Sequence, residues 1–532
     1  MWRSLLLLGI VGAADVSEYP SFWPKPRVFS NGTMELSVVP GSLMFHSSMP
    51  SPLLDGAWKR TTSLMFPWTS DSISKEDQMG SNARLTEVFV EVKEIVSLHV
   101  QPPTLGVNER YHLDIVPSTD DLSWKCNITA ETVWGAMHGL ITLSQMVEPL
   151  QPTEEGKREY VIRAAPWSIE DYPVLPHRGL MIDTARHFLP TSTIRRQIDA
   201  LSMNKMNVLH WHVSDAESMP YESTAFPDLA AKGAFIKEAT YSKQEVKDII
   251  DYAAERGVRV IIEFDMPGHN YAWSLAYPSL FVNCSDMYPT DTRFWVASFD
   301  PTNEKLYSFL DTFLREVAQT FPDQVIHLGG DEVQYSCWNE SRAIREYMAK
   351  HNLTLTDLYA TFESKVHSIA AKYNKSVQSW DEVYVSAKEV LPKDAIVQVW
   401  RGMETLTDAV KDGFRAVLSA PYYLNSGFDM GGLQVSWTSI YSNDPIPQDL
   451  TKQERDQVLG AEACIWGEEV NQFNIDQRVW FRGSMLAERL WSLQGNHTDK
   501  IGPAVPNDEG GDKSHPHRRQ GCAPKKEPLE SM

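Results

Sequence analysis

Two adjacent carboxylates, Asp331 and Glu332, follow two glycines after the apolar run Val325-Ile326. An apolar strand that ends in Gly329-Gly330-Asp331-Glu332 delivers acids into a cleft. Neighbouring carboxylates repel, so they take different protonation states or different roles. An isolated Asp-Glu pair is usually a solvated turn. Here similar strand ends recur: Asp183 with Arg186, Asp215, Asp265 with His269, Trp380 with Asp381 and Glu382, Trp400, Tyr423 with Asn425, and Trp466 with Glu468. Acids, one arginine and three tryptophans on one rim are the inventory of a carbohydrate-cleaving pocket.

The elements that must carry these residues alternate in type. Strand candidates are 178–184, 208–215, 258–265, 325–329, 376–380, 395–400, 415–420 and 459–466. Amphipathic segments lie between them, such as 193–205, 242–256, 303–320 and 357–373. Ser242 and Glu245 have the spacing of a capping box, and Gly257 that of a helix stop. Eight strand–helix alternations predict an α/β fold, a parallel (β/α)8 barrel over 170–495. Its active site would lie at the C-terminal strand ends. Residues 20–165 read differently, with strands near 35–39, 88–92 and 111–116 and a helix near 132–147. This is a smaller α+β domain without a catalytic cluster, and its expected role is structural. From 496 to 532 the chain is rich in Pro, Gly, Lys and Asp without apolar periodicity, and it is expected to be disordered.

With 532 residues, two domains are expected. The net charge of −21 argues against nucleic acid and anionic membrane as partners. Seventeen tryptophans exceed ordinary use; most are expected in cores, and flat indole faces also suit sugar rings. Met1–Ala14 reads as a secretory signal, with Arg3, an apolar stretch and Gly12-Ala13-Ala14. Seven sequons, at Asn31, Asn127, Asn283, Asn339, Asn352, Asn374 and Asn496, support secretory routing as a glycoprotein. No later stretch is long and apolar enough to span a bilayer. Among five cysteines, Cys284 and Cys337 follow strand ends and could pair, while Cys464 reads as a buried thiol. No zinc-like spacing exists, so neither metal nor cofactor is expected.

Taken together, the motifs resemble glycoside hydrolase family 20, the β-N-acetylhexosaminidases, close to the animal lysosomal type. The matching stretches are His177–Leu180, Asp183–Phe188, Asn204–His212, Glu263–His269, His327–Glu332, Gln398–Arg401, Gly460–Glu468 and Ala487–Trp491. The likeness runs from about Trp23 to Trp491. It implies an exo-acting enzyme that releases terminal β-linked GlcNAc or GalNAc from glycoconjugates. In that mechanism the substrate's own acetamido oxygen attacks the anomeric carbon, an exception to the usual two-carboxylate scheme. By the same resemblance, Glu332 is the general acid and then base. Asp331 holds the acetamido N–H and the oxazolinium charge, and Tyr423 donates to the acetamido oxygen. Arg186 and Glu468 grip ring hydroxyls, Asn425 lines the pocket, and Trp380, Trp400 and Trp466 wall it. Asp215 and His269 orient Glu332. The rival reading is a catalytically inactive sugar-binding homologue, against which the joint presence of Asp331, Glu332, Tyr423 and Arg186 argues. The resemblance implies glycan substrates, a lysosomal or extracellular location and a homodimer, against which the altered C-terminus stands. Ser426 replaces an arginine with which some members read an acidic sugar, and the loop 284–300 lacks the features of a lipid-transfer activator site.

Overall fold

The computed structural model describes residues 22–68, 83–94, 101–118, 122–152, 159–282, 297–425 and 435–492. The signal-like segment, Asn283, Cys284, most of the 284–300 loop, Ser426, Asn496 and the whole tail lie outside the described residues.

The first part is a mixed sheet of seven strands: β1 (Val28–Val38), β2 (Met44–Ser47), β3 (Arg84–Val92), β4 (Tyr111–Pro117), β5 (Ser123–Ala130), β6 (Glu148–Pro149) and β7 (Tyr160–Asp171). β3 runs parallel to β5, and β4 lies antiparallel between β5 and β7. β5 alternates buried and half-buried residues without a break, the pattern of a sheet with one face on a core. That face is covered by the helices Pro52–Met65 and Val133–Met146. The second is buried along nearly its whole length, which is why its sequence shows only a weak polar face. β7 runs six residues past position 165, so the sheet's last strand reaches to just before the barrel.

The second part is a closed barrel of eight parallel strands: β8 (His177–Asp183), β9 (Val208–Ser214), β10 (Arg259–Phe264), β11 (Val325–His327), β12 (Ser376–Trp380), β13 (Ile396–Val399), β14 (Arg415–Leu418) and β15 (Val458–Ile465). Every residue of β8, β9, β10 and β15 is buried. Strands covered on both faces read as mainly apolar runs, here interrupted by a few polar residues such as His210, His212, Glu263 and Glu462, and this made them visible in the sequence. The outer helices carry one apolar stripe each. In Glu304–Thr320, Leu306, Leu310, Phe313, Leu314 and Val317 are buried at i, i+3 and i+4 spacing, each burial contributing about 1.5–3 kcal/mol. Ser242 and Glu245 form the capping box of helix Lys243–Ala254.

β11 is shorter than its sequence suggests because the chain leaves the extended region at Gly329 (φ +67°) and Gly330 (φ +99°). A Cβ on Gly329 would sit 1.8 Å from Asp265 Oδ1, and one on Gly330 2.3 Å from Val383 Cγ2. Only glycine fits this turn, and the turn sets Asp331 and Glu332 at the mouth.

Buried charges join the sheet to the barrel. Lys205 Nζ lies 2.8 Å from Asp171 Oδ2 at the end of β7, and Trp491 donates Nε1–H to Asp171 Oδ1 at 2.8 Å. Arg178 of β8 reaches Glu109 at 2.6 Å, which also meets His138 at 2.9 Å. Trp491 is fully buried within the apolar core of the first domain. Among the described residues, no helix is long and apolar enough to cross a membrane.

Candidate active site

The loops after β8, β9, β10 and β11 bring one connected set of polar groups to the C-terminal end of the barrel. Arg186 is the hub. Its guanidinium meets Asp215 Oδ2 at 2.7 Å, Glu217 Oε2 at 3.2 Å and Asp183 Oδ2 at 3.3 Å, and it lies over the Trp466 ring at 4.8 Å. Three carboxylates around one planar cation fix its orientation. Asp215 continues the set: its Oδ1 lies 3.1 Å from His269 Nδ1. His269 Nε2 then lies 3.4 Å from Glu332 Oε2 and 3.8 Å from Asp331 Oδ2. The structure thus sets His269 beside Glu332 and Asp215 behind His269, and Asp215 also meets Arg186.

The two adjacent acids differ as their neighbourhoods dictate. The Glu332 side chain is 55 % exposed and that of Asp331 13 %. Hydrogen bonding to His269 holds the Glu332 carboxyl below its usual range. Burial, followed by the neighbouring Asp265 carboxylate, pushes Asp331 well above its usual range. Asp265 itself is raised to about 7, first by burial and then by Glu263 and Asp215, against the pull of His269. Glu332 also adopts φ +49° and His269 φ +51°, a region that side-chain-bearing residues enter at a cost.

Aromatic residues from β12, β13, β14 and β15 form the opposite wall. Trp380 and Trp466 lie 5.9 Å apart between ring centroids, Tyr423 and Trp466 6.3 Å, and Trp400 and Tyr423 6.5 Å. Trp380 is almost fully buried and donates Nε1–H to Glu263 at 2.8 Å. Trp400 donates Nε1–H to Glu382 at 2.9 Å. Burial raises the Tyr423 hydroxyl well above its usual range, so it remains a donor. Glu468 is exposed on the loop after β15, whereas Asn425 is fully buried. The chemistry these groups permit is proton transfer beside a buried acid, within a pocket walled by indoles.

Three residues of this site escaped the sequence reading. Glu217 touches Arg186 and is raised to about 7, first by burial and then by Asp215. Tyr359 and Glu363 lie beneath the Gly329-Gly330 turn on helix Leu355–Lys372. A Glu in a loop and an aromatic on a helix's apolar face carry no distinctive signal.

Three groups, His210/Glu263/His327, Asp215/Asp265/His269 and His269/Asp331/Glu332, bring metal-ligating atoms within 4.8 Å of one another. In each, histidine nitrogens already lie within 4 Å of carboxylate oxygens. Cys464 is a buried free thiol and Cys337 is disulfide-bonded. Of the sequons, Asn339, Asn352 and Asn374 are exposed, whereas Asn31 and Asn127 lie within β1 and β5 and are half-buried.

Residues 175–494 match the model of the glycosyl hydrolase family 20 catalytic domain, and residues 22–146 match a β-acetyl hexosaminidase-like model. The chain is 36 % identical over 517 residues to the rat β-hexosaminidase subunit alpha, covering 92 % of this chain and 91 % of that protein. It is 37 % identical over 500 residues to the mouse β-hexosaminidase subunit beta, covering 92 % and 89 %. Among solved structures, Flavobacterium johnsoniae chitobiase superposes with a TM-score of 0.73 at 30 % identity, covering 88 % of this chain and 69 % of that one. A Vibrio harveyi exo-β-N-acetylglucosaminidase in complex with N-acetylglucosamine shares the fold, with a TM-score of 0.74 at 23 % identity over 92 % and 76 %. The barrel, its acid-and-indole mouth and these matches lead to one conclusion: the chain is a glycoside hydrolase and belongs to family 20.

Proposed function

We propose that the protein is an exo-acting, retaining β-N-acetylhexosaminidase that releases terminal β-linked GlcNAc or GalNAc through an oxazolinium intermediate. The observation that carries this reading is the pairing of a buried Asp331 with an exposed Glu332 that His269 faces at 3.4 Å. An acid at the mouth can reach a glycosidic oxygen. A buried acid one residue away can reach the acetamido N–H of the same sugar. The acetamido oxygen then attacks intramolecularly, which avoids much of the entropy of bringing reactants together.

In the free site, burial favours a proton on Asp331 and Asp265, while the hydrogen bond from His269 favours the charged form of Glu332. Cleavage needs the reverse. A bound sugar favours this exchange at both ends: its acetamido N–H stabilises the Asp331 carboxylate, and its ring removes water from Glu332. Glu332 then protonates the leaving oxygen as the C–O bond breaks. In the second half it takes a proton from the water that opens the oxazolinium ring. Tyr423 donates to the acetamido oxygen, Arg186 and Glu468 bind ring hydroxyls, Asn425 closes the pocket, and Trp380, Trp400 and Trp466 enclose the N-acetyl group.

The same reading includes secretory routing to a lysosomal or extracellular compartment. It also includes glycans on the exposed Asn339, Asn352 and Asn374, and a Cys284–Cys337 disulfide. Hydrolysis of aryl β-GlcNAc, aryl β-GalNAc and 6-sulfated aryl β-GlcNAc, with the product anomer followed by NMR, tests the function. Release of the β-anomer first supports it. Release of the α-anomer, or no turnover of any of the three, overturns it.

A further inference from the structure

Behind the mouth, the barrel interior holds a line of alternating acids and histidines that the reaction above does not use. His177 Nε2 lies 3.0 Å from Glu462 Oε2, and Glu462 Oε1 lies 2.6 Å from His210 Nδ1. His210 Nε2 lies 3.0 Å from Glu263 Oε2, and the same oxygen lies 2.5 Å from His212 Nδ1. His212 Nε2 lies 2.9 Å from Asp215 Oδ2. Asp215 then meets His269, which faces Glu332. From His177 to Asp215, none of these side chains is more than 1 % exposed. Burying this much charge is expensive and is not needed to fill a barrel, whose interior is ordinarily layered with aliphatic side chains.

Glu263 is the branch point. One oxygen takes the hydrogen bond of His212 Nδ1 and also lies beside the His210 ring, both on β9. The other accepts Nε1–H from Trp380 of β12 at 2.8 Å and lies 3.1 Å from His327 Nδ1 of β11. One carboxylate thus fastens the indole wall and, through His212 and Asp215, the histidine beside the acid. We infer that Glu263 and His212 are positioning residues of the reaction, fixing the charge and place of His269 against Glu332 while holding Trp380 across the pocket. The inference rests on the glycosidase reading above.

The charge states agree with this. Burial favours the neutral form of each acid; His212, His327 and His210 outweigh it at Glu263, and Arg186 followed by His269 and His212 outweighs it at Asp215, so both are held well below the usual carboxylate range. Burial likewise works against protonation of His212, and Glu263 and Asp215 outweigh it. His210 is raised to about 9 by Glu462 and Glu263 against the same opposition. His177 and His327 are lowered, chiefly by burial. The line therefore alternates in sign from Glu462 to Glu332. Arg186 faces His212 at 3.4 Å, and Asp183 adds to the field at His212. Arg186 and Asp215 act on Glu332 together with His269.

Glu263→Gln keeps size and shape. Its amide oxygen can accept from Trp380, and its NH2 must face His210 and His212, which then lose their extra protons. The lost imidazolium at His212 stands between the lost carboxylate and Glu332 in the line of contacts, so Glu332 keeps its proton to higher pH. The basic limb of kcat for aryl β-GlcNAc, which reports the substrate complex in which Glu332 holds the proton, is expected to move up by about half a pH unit, because the lost carboxylate offsets part of the effect of the two lost imidazolium charges. The kcat is expected to fall about tenfold with KM changed less than about threefold. Glu462→Gln, two ion pairs further in, should move the limb less in the same direction. A lowered kcat with an unmoved limb would make the line structural only and overturn the inference. On the wild-type enzyme, 15N-histidine NMR at pH 7 should find His212 and His269 as imidazolium ions. A neutral His212 overturns the inference whether or not the variants fold. Wild-type turnover separately tests the underlying reading.

Discussion

Tyr359 donates its hydroxyl hydrogen to the carbonyl oxygen of Gly330 at 2.5 Å, directly beneath the turn that carries Asp331 and Glu332. One helical turn on, Glu363 is buried, and burial pushes its carboxyl well above the usual range. The turn has positive φ at Gly329, Gly330 and Glu332, so it is not a conformation the chain would keep unaided. Tyr359→Phe should leave the barrel intact, cost about 1 kcal/mol of stability for one lost hydrogen bond, and lower kcat about tenfold with KM little changed. Urea unfolding and steady-state kinetics measure the two effects. An unchanged kcat would show that the turn holds its shape without the clamp.

Glu332→Gln removes the exposed acid that lies 3.4 Å from His269. Hydrolysis of a natural disaccharide, which has a poor leaving group, should fall by about a hundredfold or more. An activated aryl glycoside should lose less in its first step, because its leaving group needs no proton. Equal losses on both substrates would point to a damaged pocket instead of a missing acid.

Asp331→Asn keeps the shape of the acid but removes the charge that the proposed oxazolinium intermediate requires. A GlcNAc-thiazoline, which mimics the bicyclic intermediate, should inhibit the parent strongly and the variant at least about tenfold less well. Isolation of a sugar ester on any carboxylate would refute the intramolecular route.

The barrel was legible in the sequence because its strands are buried almost throughout and residues with chemistry stand at or just after strand ends, as Asp183, Asp265 and Trp380 do. The first sheet was less so. Its β1 begins at Val28, yet only the last few residues look like a strand, because Val28, Phe29 and Met34 are exposed and supply no alternation. The rim was legible for the same reason as the barrel. The layer behind it was present in the motifs as His210-Trp211-His212, Glu263, His327 and Glu462. Period-two polar residues inside apolar strands are the signal that they face the barrel interior. What the sequence could not supply was the pairing, since His210 and Glu462 are 252 residues apart.

Gly329→Ala places a methyl group where Asp265 Oδ1 already lies, at 1.8 Å, in a backbone conformation with φ +67°. Neither Asp265 nor the turn can yield without moving Gly330, whose N–H donates to Asp265 at 3.1 Å. The variant should fold with about 1–3 kcal/mol less stability and lose kcat by at least about a hundredfold. Near-parental kcat would show that the turn tolerates displacement and that glycine serves only local packing.

Glu109 makes the junction between the two domains pH-dependent in a calculable direction. It is buried, and burial alone would raise its carboxyl. Arg178 at 2.6 Å and His138 at 2.9 Å overcome this and hold it at about 2, against an ordinary glutamate value of 4.5. A carboxyl depressed on folding adds stability that is full above the unfolded value and is lost as pH falls through the folded one. Its contribution is on the order of 3 kcal/mol, present above about pH 4.5 and drained between there and about 2. The junction therefore stays ionised in a mildly acidic compartment. Glu109→Gln should cost about 3–5 kcal/mol near neutrality, because it leaves Arg178 buried without its partner. The difference from the parent should shrink steadily as pH falls from 4.5 towards 3. Urea unfolding of both proteins across that range measures it. A difference that stays constant with pH would show that the variant loses packing instead of charge.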